Sequence, residues 1–189
     1  MDRAAILVVT GASGSGKTAA VRALEERNLE GLRCFYFDSI GVPSTEEMDR
    51  EFGGGEAWQA DATRRWIKRL VSESDSGTVS ILDGQTRPSF VRAALAGAES
   101  THLRIVLLEC SPAVRRARLA QRGQPELATL RMDNWAAYLR GQADALDLQV
   151  IETDALTVEV VADLLAAQVQ ELHLEALGAA EQIGGPERR

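Results

Sequence analysis

Gly11-Ala12-Ser13-Gly14-Ser15-Gly16-Lys17-Thr18 places glycine, lysine and a hydroxyl at the spacing G-x-x-x-x-G-K-[ST], with an extra glycine at position 14. Glycines allow successive backbone N–H groups to turn inward around a phosphate, and a helix starting there adds its positive end. Lys17 is then placed to reach the outer phosphates, and the Thr18 hydroxyl to ligate Mg²⁺. Ala19 follows on the first turn of that helix and belongs to the same binding segment. The flanks agree with this reading. Ile6 to Val9 is an apolar run before the loop, and Val21 and Leu24 are helical apolar positions after it. The chemistry predicted is capture of the phosphates of ATP (or GTP) with Mg²⁺.

Further along, Ile81-Leu82-Asp83-Gly84 ends an apolar run on a carboxylate. A carboxylate at a strand end beside a phosphate loop can hold Mg²⁺ through water; the alternative is a plain Asp-Gly turn. Phe35-Tyr36-Phe37-Asp38 ends another run in the same way. By itself Asp38 reads as a turn or cap residue beside Ser39. Arg115, Arg118 and Arg122 fall at i, i+3 and i+7 on one helix face. Either they stabilise charge on a transferred phosphoryl group or they form a solvated basic face. Arg131 and Arg140 could join from the next helix. Trp58, Ala62, Trp66 and Leu70 are spaced as the core face of a helix, with stacking on a planar acceptor as the functional alternative for Trp58. Trp135 and Tyr138 read as packing.

These residues need elements to carry them. Five apolar runs, Ala4–Thr10, Arg33–Phe37, Thr78–Leu82, Leu103–Glu109 and Leu148–Ile151, alternate with segments of helical period. Apolar almost throughout, they suit strands buried on both faces. Strand and helix in alternation give an α/β parallel sheet covered on both sides. Ser44 with Glu47 reads as a capping box, and Ser111-Pro112 as an N-cap followed by proline. Val158, Val161, Leu165, Val169 and Leu172 mark one face of a final helix. Two insertions interrupt the pattern: 39–76, with the glycine triplet Gly53-Gly54-Gly55, and the short lid 123–129. The expected organisation is one domain over 1–177 and a disordered tail over 178–189.

Asp83-Gly84-x-x-Arg87, the Arg118-x-x-x-Arg122 pair on a helix after the fourth strand, and Ile151-Glu152-Thr153-Asp154 before the last helix together resemble adenylate kinases. The wider resemblance is to the nucleoside/nucleotide kinase superfamily, over Ala4 to roughly Ala167 except the region after strand two. It implies a three-layer P-loop NTPase fold, a five-stranded sheet ordered 2-3-1-4-5 and transfer of the ATP γ-phosphoryl group. It also implies that the loop at Thr153 lies against the adenine, that Arg118 contacts the nucleotide, and that Arg87 binds an acceptor anion or orients the acceptor. Gln85-Thr86 and Val91 depart from the adenylate kinase pattern, and no clamp for an acceptor phosphate follows strand two. Asp38 instead resembles the residue that orients or deprotonates the acceptor in small-molecule hydroxyl kinases; a hydroxyl needs such a base, whereas an acceptor phosphate does not.

The reading is thus an ATP- and Mg²⁺-dependent transfer to a small-molecule hydroxyl. Lys17, Asp38, Arg118 and Arg122 are catalytic, Thr18 and Asp83 hold the metal, and Asp38, Arg87 and Trp58 face the acceptor. A nucleoside monophosphate kinase and a non-kinase ATP-binding switch or slow ATPase are the alternatives. The net charge of −7 argues against a surface that coats nucleic acid. Cys34 and Cys110 read as reduced core thiols rather than a disulfide. No segment approaches the roughly 18 apolar residues of a membrane span, and no signal peptide is evident at the N-terminus. The expectation is a cytoplasmic monomer or homodimer with no membrane or nucleic-acid partner.

Overall fold

The computed structural model describes residues 4–75, 77–96 and 101–181. Its strands are β1 (Ala5–Thr10), β2 (Leu32–Tyr36), β3 (Val79–Asp83), β4 (His102–Glu109) and β5 (Gln149–Glu152). All neighbouring pairs are parallel and the order is β2-β3-β1-β4-β5. The helices are α1 (Lys17–Glu25), α2 (Thr45–Phe52), α3 (Gly55–Ser72), α4 (Pro88–Ala94), α5 (Pro112–Gln121), α6 (Leu130–Ala145) and α7 (Val158–Glu181).

The unbroken apolarity of β1 follows from its position in the middle of the sheet. Its odd residues Ala5, Leu7 and Val9 pack with Val21 and Leu24 of α1 and Val161, Leu165 and Leu172 of α7. Its even residues Ile6 and Val8 meet Trp66, Ile67 and Leu70 of α3 and Val91 of α4 on the other face. A strand with helices on both sides has no solvent face for polar residues to occupy. A smaller cluster joins Leu107 of β4 to Leu139 and Ala143 of α6.

The helix ends match their sequence signals. The Ser44 hydroxyl accepts from the Glu47 amide while the Glu47 carboxylate accepts from the Ser44 amide. The Ser111 hydroxyl likewise accepts from the amide of Val114.

As the capping box at Ser44 and the Trp58–Leu70 face implied, the 39–76 insertion is mostly helical, α2 and α3, and the glycine triplet is the corner between them, with Gly53 capping α2. Three expectations are revised. Phe37 leaves the strand for a 3₁₀ turn, Phe37–Ile40, that carries Asp38. The expected tail is helical in its first part, since α7 runs through Gly178 to Glu181; residues 182–189 lie outside the described residues. Val158 is 39% exposed and leaves the buried face of α7.

Candidate active site

The ladder register brings the chemistry to one edge of the sheet. Asp83, the last residue of β3, lies beside Val9 of β1 and Tyr36 of β2. The phosphate loop leaves the end of β1, and the 3₁₀ turn with Asp38 leaves the end of β2. Carboxyl ends of parallel strands are where open α/β sheets bind ligands. A cleft of about 750 Å³ opens there, lined by residues 13–20 with Asp38, Asp83, Gln85, Arg118, Arg122 and Thr153 among others.

The phosphate loop is held from behind. Gly14 has φ +84°, and a β-carbon on it would meet Arg115 Cγ at 2.9 Å, so glycine is required by both conformation and space. The Cys110 thiol donates to the Gly14 carbonyl at 3.5 Å. Arg118 donates to the carbonyls of Gly14 and Ser15 at 3.5 and 3.4 Å, and to the hydroxyl and carbonyl of Thr153 at 2.8 and 2.6 Å. One guanidinium therefore ties the phosphate loop to the loop between β5 and α7.

The Lys17 side chain lies back over the loop, donating to the Ala12 carbonyl at 3.1 Å. Burial lowers its pKa from 10.5 to about 8, against the opposing pull of Asp83 and Asp38; the charge of Arg122 lowers it further. Burial also raises the Asp83 pKa, opposed chiefly by Lys17. The Thr18 hydroxyl donates to Asp83 Oδ2 at 2.6 Å. Asp83 Oδ1 and the Ser15 hydroxyl are buried without a hydrogen-bond partner among the described residues. A buried carboxylate oxygen left free, next to a threonine hydroxyl and a phosphate cradle, suits a hard cation that draws its other ligands from phosphate and water. Thr18 and Asp83 fit Mg²⁺ on that chemistry.

Asp38 is exposed in the cleft, and its carboxylate accepts no hydrogen bond among the described residues. Its position is set by Phe37, which is 3% exposed. The Phe37 ring meets Trp58 edge-on at 6.1 Å, and its carbonyl accepts from Trp66 Nε1 at 3.0 Å. Gly84 supplies the remaining wall, since a β-carbon there would come within 2.4 Å of Phe37 Cβ.

That packing decides Trp58. It is 7% exposed, is not among the residues lining the cleft, and packs edge-on against Phe37 on the core face of α3. Arg87 is held by partners of its own. Its guanidinium donates to Gln59 Oε1 at 2.6 Å, pairs with Glu56 at 3.3 Å, and lies 4.9, 5.1 and 5.6 Å from the ring centroids of Trp135, Phe90 and Tyr138. Its side chain is 15% exposed and outside the cleft lining.

The three arginines of α5 divide. Arg115 is 2% exposed, bound to Asp133 at 2.6 Å and to the Cys110 carbonyl at 2.9 Å, and so is structural. Arg118 braces the loop. Arg122 is the exposed one on the cleft. Arg140 does not reach the site. The register puts Glu109 and Glu152 side by side at the ends of β4 and β5, and Arg140 answers that repulsion at 2.7 and 3.6 Å. Arg131 is exposed and outside the cleft lining.

Sequence reasoning missed Gln85, whose side chain donates to the Ser13 hydroxyl at 2.8 Å, and Gln59, which donates to the Gln85 carbonyl at 2.8 Å. No linear motif marks either residue. Their only signal was position, one residue past Trp58 and two past Asp83.

Sheet order, phosphate loop and strand-end aspartate define a P-loop nucleotide-binding protein. The chain belongs to the AAA domain family, whose model matches residues 7–137. No curated relative matches the sequence. Among solved structures it is similar to a gluconokinase from Sinorhizobium meliloti, with a TM-score of 0.63 at 19% identity over 92% of this chain and 98% of that one. A sugar kinase from a Janibacter species gives a TM-score of 0.61 at 18% identity, again over 92% and 98%. A shikimate kinase from Acinetobacter baumannii, in complex with shikimate, gives 0.59 at 15% identity over 90% and 95%. The fold is thus one shared with small-molecule kinases. No helix among the described residues is long and apolar enough to cross a membrane.

Proposed function

We propose that this protein transfers the γ-phosphoryl group of ATP to a hydroxyl of a small molecule. The observation that carries the reading is Asp38: an exposed carboxylate on the same cleft as Lys17 and Asp83, at the end of the strand next to β3. The named kinases with the same fold support it.

The residues divide the work as follows. The loop amides, Lys17 and Ala19 at the start of α1 bind the triphosphate, and Thr153 with Arg118 borders the nucleoside side of the cleft. Thr18 and Asp83 would hold Mg²⁺, which would offset the negative charge of the phosphates. The acceptor oxygen attacks the γ-phosphorus, the bond from that phosphorus to the β–γ bridging oxygen breaks, and ADP leaves. Asp38 takes the hydroxyl proton. Arg122 stabilises charge on the transferred oxygens. Arg87 acts behind the acceptor wall rather than as an anion ligand, because Glu56 and Gln59 already occupy it. Two free thiols, Cys34 and Cys110, suit a reducing cytoplasmic setting.

The test is ADP release against sugars, polyols, aminocyclitols, nucleosides and the four common nucleoside monophosphates, with Asp38→Asn alongside. The expected result is turnover of a hydroxyl compound and a fall in kcat of about 10²–10⁴ in the variant. Diphosphate formation from a monophosphate, or full activity of Asp38→Asn, would defeat the proposal.

A further inference from the structure

Arg87 and Ser13 belong to different segments, yet two amides join them. Arg87 Nη1 donates to Gln59 Oε1 at 2.6 Å, Gln59 Nε2 donates to the Gln85 carbonyl at 2.8 Å, and Gln85 Nε2 donates to Ser13 Oγ at 2.8 Å. The series runs from the aromatic box around Arg87, through α3, to the leading turn of the phosphate loop.

Part of its direction follows from chemistry. A guanidinium only donates, so the Gln59 oxygen must face Arg87 and its NH₂ must face away. The group it meets is the backbone carbonyl of Gln85, which only accepts and so fixes the Gln85 main chain. The Gln85 side-chain NH₂ separately donates to Ser13 Oγ, so the Ser13 oxygen accepts. A hydroxyl that accepts from one side retains one proton to donate elsewhere, and Ser13 lines the cleft. We infer that Gln59 and Gln85 are positioning residues that, anchored by Arg87, orient the Ser13 hydroxyl as a donor to the bound phosphates.

The inference rests on nucleotide phosphates occupying the loop, and it assigns Arg87 a place in the reaction without contact to the acceptor. A structural role for the same residues makes a different prediction. If they only stabilise the acceptor wall, their loss affects nucleotide binding equally with or without the Ser13 hydroxyl.

A double-mutant cycle on the dissociation constant of Mg²⁺ with a non-hydrolysable ATP analogue, measured by calorimetry, separates the two. Gln59→Glu keeps the size and the Arg87 pairing but cannot donate to the Gln85 carbonyl. It should weaken binding about fivefold or more when Ser13 is present, and have no effect in a Ser13→Ala background. Gln85→Met, which removes the second amide at similar length, should behave in the same way and serves if Gln59→Glu does not fold. Equal losses in both backgrounds, or no loss with Ser13 present, would overturn the inference alone. Failure of the wild-type protein to bind the analogue would overturn the nucleotide reading and this inference together.

Discussion

Lys17 shows the cost of a buried cation kept for function. Its folded pKa of about 8 lies below the ordinary 10.5, so between those values the unfolded chain binds more protons and stability rises with pH. Near pH 7 the penalty is about 3 kcal/mol. Lys17→Met should therefore raise the Tm of the ligand-free protein by several degrees at pH 7, with the advantage shrinking from pH 8 towards 10.5. The same variant should lose the thermal shift given by Mg²⁺ and ATP. Thermal scans across that pH range, with and without nucleotide, check both halves; a Tm below wild type at pH 7 would refute the first. Asp83 is the matching anion, with one oxygen bound by Thr18 and one free. Asp83→Asn keeps an acceptor for Thr18 but removes the charge. The contribution of Mg²⁺ to binding of an ATP analogue should then fall by about 10-fold or more, measured as the ratio of dissociation constants with and without the metal.

At the scale of elements, α5 carries three arginines with three different roles, and stability separates them from turnover. Arg115→Ala leaves a cavity and removes the buried partner of Asp133, and should cost about 3–5 kcal/mol in urea unfolding. Arg122→Ala, at an exposed site, should leave the urea midpoint unchanged and lower kcat by at least about tenfold. Arg118→Ala should do some of each, because Arg118 joins the phosphate loop to Thr153. The turn after β2 depends similarly on α3 and on the start of the β3–α4 loop. Trp58, Trp66 and Gly84 hold Phe37, and Phe37 sets Asp38.

The whole molecule gathers loops from four strand ends around one cleft, so a ligand there links segments distant in sequence. Binding to the folded state alone adds RT ln(1 + [L]/Kd), about 2.7 kcal/mol at a hundred times Kd. For a chain of this size Mg²⁺ with an ATP analogue should raise Tm by roughly 5–10 °C. Adenosine, which lacks phosphates, should give far less. A shift of equal size from adenosine would mean that the phosphate loop is not where the binding energy resides.

The sequence by itself determined the sheet, the phosphate loop and the carboxylates at the ends of β2 and β3. Each is written in short-range terms: apolar runs, a glycine spacing, an aspartate closing a strand. Helix starts at Ser44 and Ser111 were legible because capping is local chemistry. What only tertiary structure decided was which way a side chain of ambiguous type is turned. Arg115, Arg118 and Arg122 look equivalent on a helical wheel, and only the packing of α5 against the phosphate loop and α6 buries the first, braces the second and frees the third. Trp58 read as a core-face residue with stacking on an acceptor as its alternative, and its place in the core against Phe37 matches the first; Arg87 read as an acceptor residue, and only the fold brings Gln59, Glu56 and the rings of α4 and α6 to it. Gln59 and Gln85 carried no signal beyond position, since a glutamine's role depends on the partners that the fold brings to each end of its amide.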